Sequence, residues 1–196
     1  MRRMAISVEG PTEREFVNRV LRPHLVAFGW HVVRPVSMDG GISLRRIRDD
    51  LRILAEDYEL VTTLYDLYGF QGKDGRDADE LEAEIARVVG HVPHLIPYVQ
   101  KHEFEAYLFC EPDTVVDFFQ DPTSLSTLRN ALEGRQSPED INDGHATCPS
   151  RRLARAFPAY NKLAHGPLIA EQIGLARIRA SCPRFATWVQ KLEDAA

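Results

Sequence analysis

The chain has 196 residues, 44% of them hydrophobic, and a formal net charge of −5 at pH 7. That is enough apolar material for an ordinary core and excludes a disordered chain. The charge excludes a wholly basic nucleic-acid binder, but not a nuclease, whose metal-holding carboxylates are themselves negative. No apolar run is long enough to span a bilayer. Residues Met1–Gly10 carry two arginines but no signal-peptide apolar region, because Glu9 ends the apolar stretch at once. The expectation is a soluble, cytoplasmic protein. Cys110, Cys148 and Cys182 are widely spaced and form no C-x-x-C pair, so free thiols are expected rather than a zinc ribbon or a disulfide framework.

Met4 to Val8 reads as a first strand. Thr12 and Glu15 have capping-box spacing and predict a helix whose apolar face is Val17, Leu21, Leu25 and Phe28. Pro23 should kink or divide that helix, and Gly29 should end it. His31 to Val36 is a second strand. Asp39-Gly40-Gly41 is a turn, and Ser43 caps a helix over Leu44 to Asp57. Leu60 to Tyr65 is a third strand, with Asp66 directly after it. A charged, Gly-rich loop from Gly69 to Arg76 follows. Asp77 or Asp79 opens a helix that buries Leu81, Ile85, Val88 and Val89, and Leu95 to Val99 is a fourth strand.

This alternation predicts an α/β fold of the Rossmann-like kind: a mostly parallel four-stranded sheet flanked by helices. From Phe104 onward the pattern changes to short helices separated by prolines. Helices are expected at Leu125–Leu132, Arg151–Phe157, Leu168–Ile173 and Phe185–Leu192. The organisation expected is an α/β core over residues 1–110 and a C-terminal helical cap over 111–196, packed on the core as one structural unit.

Active groups in such sheets collect at the carboxyl ends of the strands. Glu9 and Asp66 both stand at such ends, and Glu13 lies in the first turn of the following helix. Three carboxylates there suit a hard divalent cation such as magnesium, which keeps several waters and takes substrate phosphate oxygens as further ligands. Ordinary structural roles are also open: Glu13 and Glu15 favour any helix N-terminus, and Asp66 could cap a turn. A glutamate directly after an apolar strand and before a glycine has less structural use, which singles out Glu9.

The segment Val8-Glu9-Gly10-Pro11-Thr12-Glu13 resembles the first motif of TOPRIM domains, V-E-G-x-x-E, above all in the overcoming-lysogenization-defect nucleases. Leu64-Tyr65-Asp66-Leu67-Tyr68-Gly69-Phe70 stands where their D-x-D motif belongs. Residues His102 to Phe109, Pro149 to Leu153, Tyr160-Asn161-Lys162, His165-Gly166-Pro167 and Cys182 to Phe185 extend the resemblance to a bacterial TOPRIM-like family of unknown function. The resemblance implies a TOPRIM-like fold and a Mg²⁺- or Mn²⁺-dependent site acting on phosphodiesters of DNA or RNA. Glu9 would then serve as general acid/base or metal ligand and Asp66 as metal ligand. It further implies an AAA- or ABC-type ATPase partner and a place in phage defence. The chain departs from the pattern at Tyr68, where D-x-D has its second aspartate. A phenol stays protonated near neutral pH and is a poor magnesium ligand. Glu103, Glu105 and Asp74 are the candidates to replace it, Glu105 foremost.

Lys101, Arg151, Arg152, Lys162 and His165, with His102, are the candidate nucleic-acid-binding residues. Arg45, Arg46, Arg48 and Arg52, interspersed with Asp49 and Asp50, read instead as a surface ion-pair face, and Trp30 and Trp188 as core residues. No Walker-type phosphate loop is present, so the chain is not expected to be an ATPase itself. Two functions are carried forward: a metal-dependent nuclease, and a non-catalytic TOPRIM subunit that docks an ATPase or nucleic acid.

Overall fold

Five successive residues of β1 (Arg3–Val8), from Met4 to Val8, are buried, as befits a strand covered on both faces of a parallel sheet. In a computed structural model of the chain every residue is described except residues 39, 40, 142, 143, 145 and 146. The expected turn at Asp39-Gly40-Gly41 therefore lies outside the described residues. The chain divides into two compact units, Met1–Lys101 with Trp188–Ala196, and His102–Thr187.

In the first unit, α1 (Pro11–Phe16) starts two residues after β1, earlier than the Thr12 and Glu15 spacing predicts. Gly10 is the N-cap, and the Glu13 carboxylate accepts its N–H at 3.1 Å. Pro11 explains the shift, because its fixed φ suits the first helical position and its missing N–H would be unpaired there anyway. Glu15 is left to surface ion pairs with Arg14 and Arg19. The division expected at Pro23 takes the form of a π-helical segment, Val17–Leu21, inserted before α2 (Arg22–Ala27). Proline cannot donate to the preceding turn, and the wider π turn accommodates that loss.

Strand β2 (Val32–Ser37) is followed by α3 (Leu44–Asp57), whose N-cap is Ser43 as expected: its side chain accepts the Arg46 N–H. The arginines of α3 behave as the ion-pair face predicted, with Arg46 on Asp50 and Arg48 on Asp49. Arg52 instead donates to the Val89 carbonyl at the end of α4 (Ala78–Val89), where a cation opposes the helix dipole. Asp77 caps α4 in a capping box with Glu80. Strand β3 (Leu60–Asp66) is buried along all seven residues.

All strand pairs are parallel, in the order β2-β1-β3-β4, where β4 is Leu95–Ile96. A further short strand, β5 (Val99–Gln100), pairs with the end of β3. The sheet thus has five strands where four were expected, because Leu95–Val99 is not continuous. Pro97 has no N–H to give to the ladder and breaks it. Thr63 repairs the gap: its hydroxyl donates to the Tyr98 carbonyl at 2.7 Å and accepts the Tyr98 N–H at 2.8 Å.

Helices cover both faces. Ala5, Val61, Tyr65 and Val99 face Ile47 and Leu51 of α3 and Leu81, Ile85 and Val89 of α4. Thr62 points the other way and accepts the Trp188 indole N–H at 2.8 Å. Trp188 belongs to α10 (Pro183–Asp194), the helix within which the division of the chain falls. The end of this helix is fixed to α2 by His24 and Glu193, and to the segment after α2 by the Trp30 indole, which donates to the Leu192 carbonyl. Both tryptophans are core residues, as expected.

The second unit opens on a buried 3₁₀ segment, Phe104–Cys110, and continues through α5 (Pro112–Phe119), α6 (Leu125–Asn130), α7 (Pro149–Ala156), α8 (Lys162–Ile173) and α9 (Leu175–Ser181). It is helical, as its proline-punctuated sequence predicts, with Pro167 tolerated inside α8. Among the described residues no helix is long and apolar enough to cross a membrane.

Thr63→Val keeps the shape of the side chain and removes both hydroxyl bonds from Thr63 to the Tyr98 backbone. It should lower stability by about 2 kcal/mol in urea unfolding, because it removes two buried hydrogen bonds. Thr63→Ser should restore most of it.

Candidate acidic site

The order β2-β1-β3 places a topological switch point between β1 and β3. The chain leaves β1 toward β2 on one side and crosses back past β1 to reach β3. Crevices outside the carboxyl ends of the strands at such points are where α/β sheets bind ligands. Val8 pairs with Leu64, so Glu9 and Asp66 lie one and two residues beyond the last registered pair of these neighbouring strands. Alternation sends Asp66 off the opposite side of β3 from Tyr65. Glu9 is past the end of β1 and free of that alternation. Its carboxylate lies over the sheet end against Gly69, in the 3₁₀ turn (Leu67–Gly69) that follows Asp66.

That contact is close. A Cβ on residue 69 would stand 2.3 and 2.6 Å from the two Glu9 carboxylate oxygens, so any larger residue there would move the carboxylate. Asp66 is 5% exposed and Glu13 3% exposed. Glu13 is committed to the Gly10 N–H, which gives it a structural task at the mouth of the same strand-to-helix turn. All three acids are hard oxygen donors of the kind magnesium takes. Among the described residues, no group of three or more His, Cys, Asp or Glu side chains is spaced to hold a metal ion by itself.

Tyr68, at the second D-x-D position, lies beneath Lys73, whose ammonium sits 4.9 Å from the ring centroid. Asp74 has a left-handed backbone (φ 51°) and a surface ion pair with Arg76.

The second unit contains Glu103 and Glu105. Glu103 accepts from the Ser150 N–H at 2.9 Å and the Ser150 hydroxyl at 3.1 Å, and so caps the N-terminus of α7. Cys148 occupies the N-cap position of that helix. Glu105 is fully buried. The Tyr160 hydroxyl lies 3.3 Å from one of its oxygens and the Lys162 ammonium 3.4 Å from the other. Burial pushes the Glu105 carboxyl above the usual carboxylate range; Lys162 opposes that shift and Glu103 adds to it. Burial, with Glu105 beside it, raises the Tyr160 phenol likewise.

Of the candidate basic residues in this unit, Lys162 is thus tied to Glu105. Arg152 donates to the Thr147 carbonyl, and His165 accepts the Asn161 N–H while packing among Phe118, Phe119 and Tyr160. Arg151 is exposed on α7. Lys101 closes the first stretch of the first unit and is half-buried. The roles of Glu103 in capping and of Tyr160 beside Glu105 carry no local sequence signal, since their partners are 47 and 55 residues away.

Comparison with known proteins agrees with the fold. The family described as a domain of unknown function, DUF4276, matches residues 8–193, and the chain belongs to it. Among solved structures, the chain is similar to the C-terminal region of the Burkholderia pseudomallei OLD protein. The TM-score is 0.57 at 15% identity, with 98% of this chain and 97% of that chain covered. The C-terminal region of the Xanthomonas campestris pv. campestris OLD protein aligns at 18% identity and a TM-score of 0.49, covering 100% of this chain and 96% of that one. No curated protein matches the chain. The parallel α/β architecture is therefore shared with the OLD C-terminal region, in line with the TOPRIM-like resemblance of the Val8–Glu13 segment.

Two measurements probe this geometry. Gly69→Ala should destabilise the protein by about 1 kcal/mol, the low end for overpacking, because the Glu9 carboxylate it forces aside is the end of a flexible side chain. The same substitution made in Glu9→Ala should cost far less, a coupling that a double-mutant cycle reads directly. Glu105 supplies the second. Its folded-state pKa lies above its ordinary 4.5, so the folded protein holds a proton that the unfolded chain has released. Stability should fall as pH rises from about 4.5 through the raised value. Glu105→Gln should flatten that part of the melting temperature against pH curve.

Proposed function

We propose that this member of the DUF4276 family is a divalent-cation-dependent nuclease that cleaves phosphodiester bonds of DNA or RNA. One observation carries the reading. Glu9 and Asp66 stand at the carboxyl ends of β1 and β3, on either side of the switch point, with the Glu9 carboxylate held against Gly69. The donor set fits magnesium or manganese: Glu9 and Asp66 would hold the cation, with water and phosphate oxygens as the remaining ligands. Such a cation supplies Lewis-acid stabilisation of charge on the phosphate.

The protein's own groups do the rest. Glu9 accepts a proton from the attacking water, and its position against the Gly69 backbone fixes the direction from which it does so. Glu13 holds the Gly10 amide and so sets the angle at which α1 leaves the site. Arg151, exposed on α7, is suited to a phosphate contact that carries no sequence information. The net charge of −5 gives little general attraction for a polyanion. That favours activity that is weak in isolation and stronger with a partner, for which an AAA- or ABC-type ATPase in a phage-defence setting is the proposal.

A second reading is favoured by Tyr68. With a phenol under Lys73 in place of a carboxylate, the chain could serve as a non-catalytic subunit that docks an ATPase or nucleic acid.

Calorimetry with Mg²⁺ and Mn²⁺ separates the two. The nuclease reading expects binding in wild type that is lost or weakened at least tenfold in Glu9→Gln and in Asp66→Asn, with circular dichroism unchanged. It also expects metal-dependent cleavage of single-stranded, double-stranded or structured nucleic acid, abolished by Glu9→Gln. Absence of both metal uptake and cleavage, with and without the ATPase, would leave the docking role.

A further inference from the structure

Cys110 and Cys182 are 72 residues apart in sequence, yet their sulfur atoms lie 3.4 Å from each other in the second unit. Both are buried free thiols. Each sits at a junction, not inside a helix. Cys110 ends the Phe104–Cys110 segment just before α5, and Cys182 lies between α9 and α10. A disulfide needs its sulfurs about 2.05 Å apart, so closure asks for a movement of about 1.4 Å. The Cys182 backbone is bonded to Ile178 and Ala186, so side-chain torsions at the two cysteines must supply most of that movement.

A cavity of about 560 Å³ reaches the pair. Cys110 lines it directly, and Ser181 and Pro183, the two neighbours of Cys182, line the facing side. Its polar wall is made by the ion pairs of Arg177 with Glu111 and Arg129 with Asp113, both largely solvent-facing. The opening is large enough for a small reagent, and Cys110 of the pair forms part of its wall.

We propose that Cys110 and Cys182 are a dithiol that small organic disulfides entering this cavity convert to an intramolecular disulfide. The Cys110 sulfur, deprotonated, attacks one sulfur of the reagent. The reagent's S–S bond breaks and the first thiolate leaves and takes up a proton. Cys182 then loses its proton, attacks the Cys110 sulfur of the mixed disulfide, and expels the second thiolate. Two protein thiols are oxidised, and one reagent disulfide is reduced to two thiols. The order follows from the surroundings. The hydrogen bond that the Cys182 thiol donates to the neighbouring sulfur, together with burial, holds it protonated, well above the ordinary thiol range, so it is the poorer first nucleophile. Of the two cysteines, Cys110 is the one that lines the cavity. Once formed, the bond ties the wall that begins α5 to the junction before α10.

The experiment uses the whole chain, treated with hydroxyethyl disulfide, freed of reagent, denatured, alkylated and mapped by mass spectrometry. The expected result is a Cys110–Cys182 cross-linked peptide, alkylation of Cys148 alone, and two reagent thiols released per chain. The melting temperature should rise by about 5 °C, reversibly on reduction, because the bond closes a long loop. Cys110→Ser should abolish the cross-link and the shift. Cys182→Ser should stop at the mixed disulfide on Cys110. Three alkylated cysteines in treated wild type, a mixed disulfide that persists on Cys110, or a cross-link through Cys148 would each overturn the proposal, whether or not either variant folds.

Discussion

Strand β3 is buried from Leu60 to Asp66, and every polar group it carries must be satisfied inside the protein. That constraint organises the first unit. Thr62 donates to the Ile96 carbonyl and receives the Trp188 indole; Thr63 bridges the break at Pro97; the Tyr65 hydroxyl donates to Ser7 on β1. Two threonines in an otherwise apolar strand thus fasten the irregular β4–β5 edge and the terminal helix α10 to the sheet. With β3 held on both sides, Asp66 at its end inherits a fixed position. The same is true of the turn beyond it, against which Glu9 rests.

The acids of the first unit differ in what holds them. Glu13 is bonded to the backbone of its own turn and shapes the exit of the chain from β1. Glu9 is placed with its carboxylate where a side chain on Gly69, in a neighbouring strand's turn, would otherwise stand. In the second unit the division recurs. Glu103 is used by the N-terminus of α7, while Glu105 is buried between a phenol and an ammonium with its proton affinity raised.

The strand ends were legible in the sequence because an apolar run followed directly by a carboxylate marks where a parallel strand leaves the core. Glu9 and Asp66 both satisfy that pattern. The start of α1 was misplaced because the Thr12 and Glu15 spacing was weighed without Pro11, whose geometry moves the cap to Gly10 and gives the capping role to Glu13. Pro97 was likewise visible in the fourth strand, and its cost to the ladder is what splits β4 from β5. Other features had no local trace. Glu103 meets Ser150 and Cys110 meets Cys182 only because the helices of the second unit bring distant segments together.

The two borders of the sheet have a consequence for behaviour at high concentration. One border is β2, where Pro35 deletes a donor and Arg34 presents an exposed charge; the other is broken into two-residue strands. A border strand with a complete row of donors and acceptors is a template on which a stray chain can add itself. Neither border offers such a row for more than a few residues. The proline within β2 and the one that splits the far side therefore act as guards against edge-to-edge aggregation and strand exchange between copies.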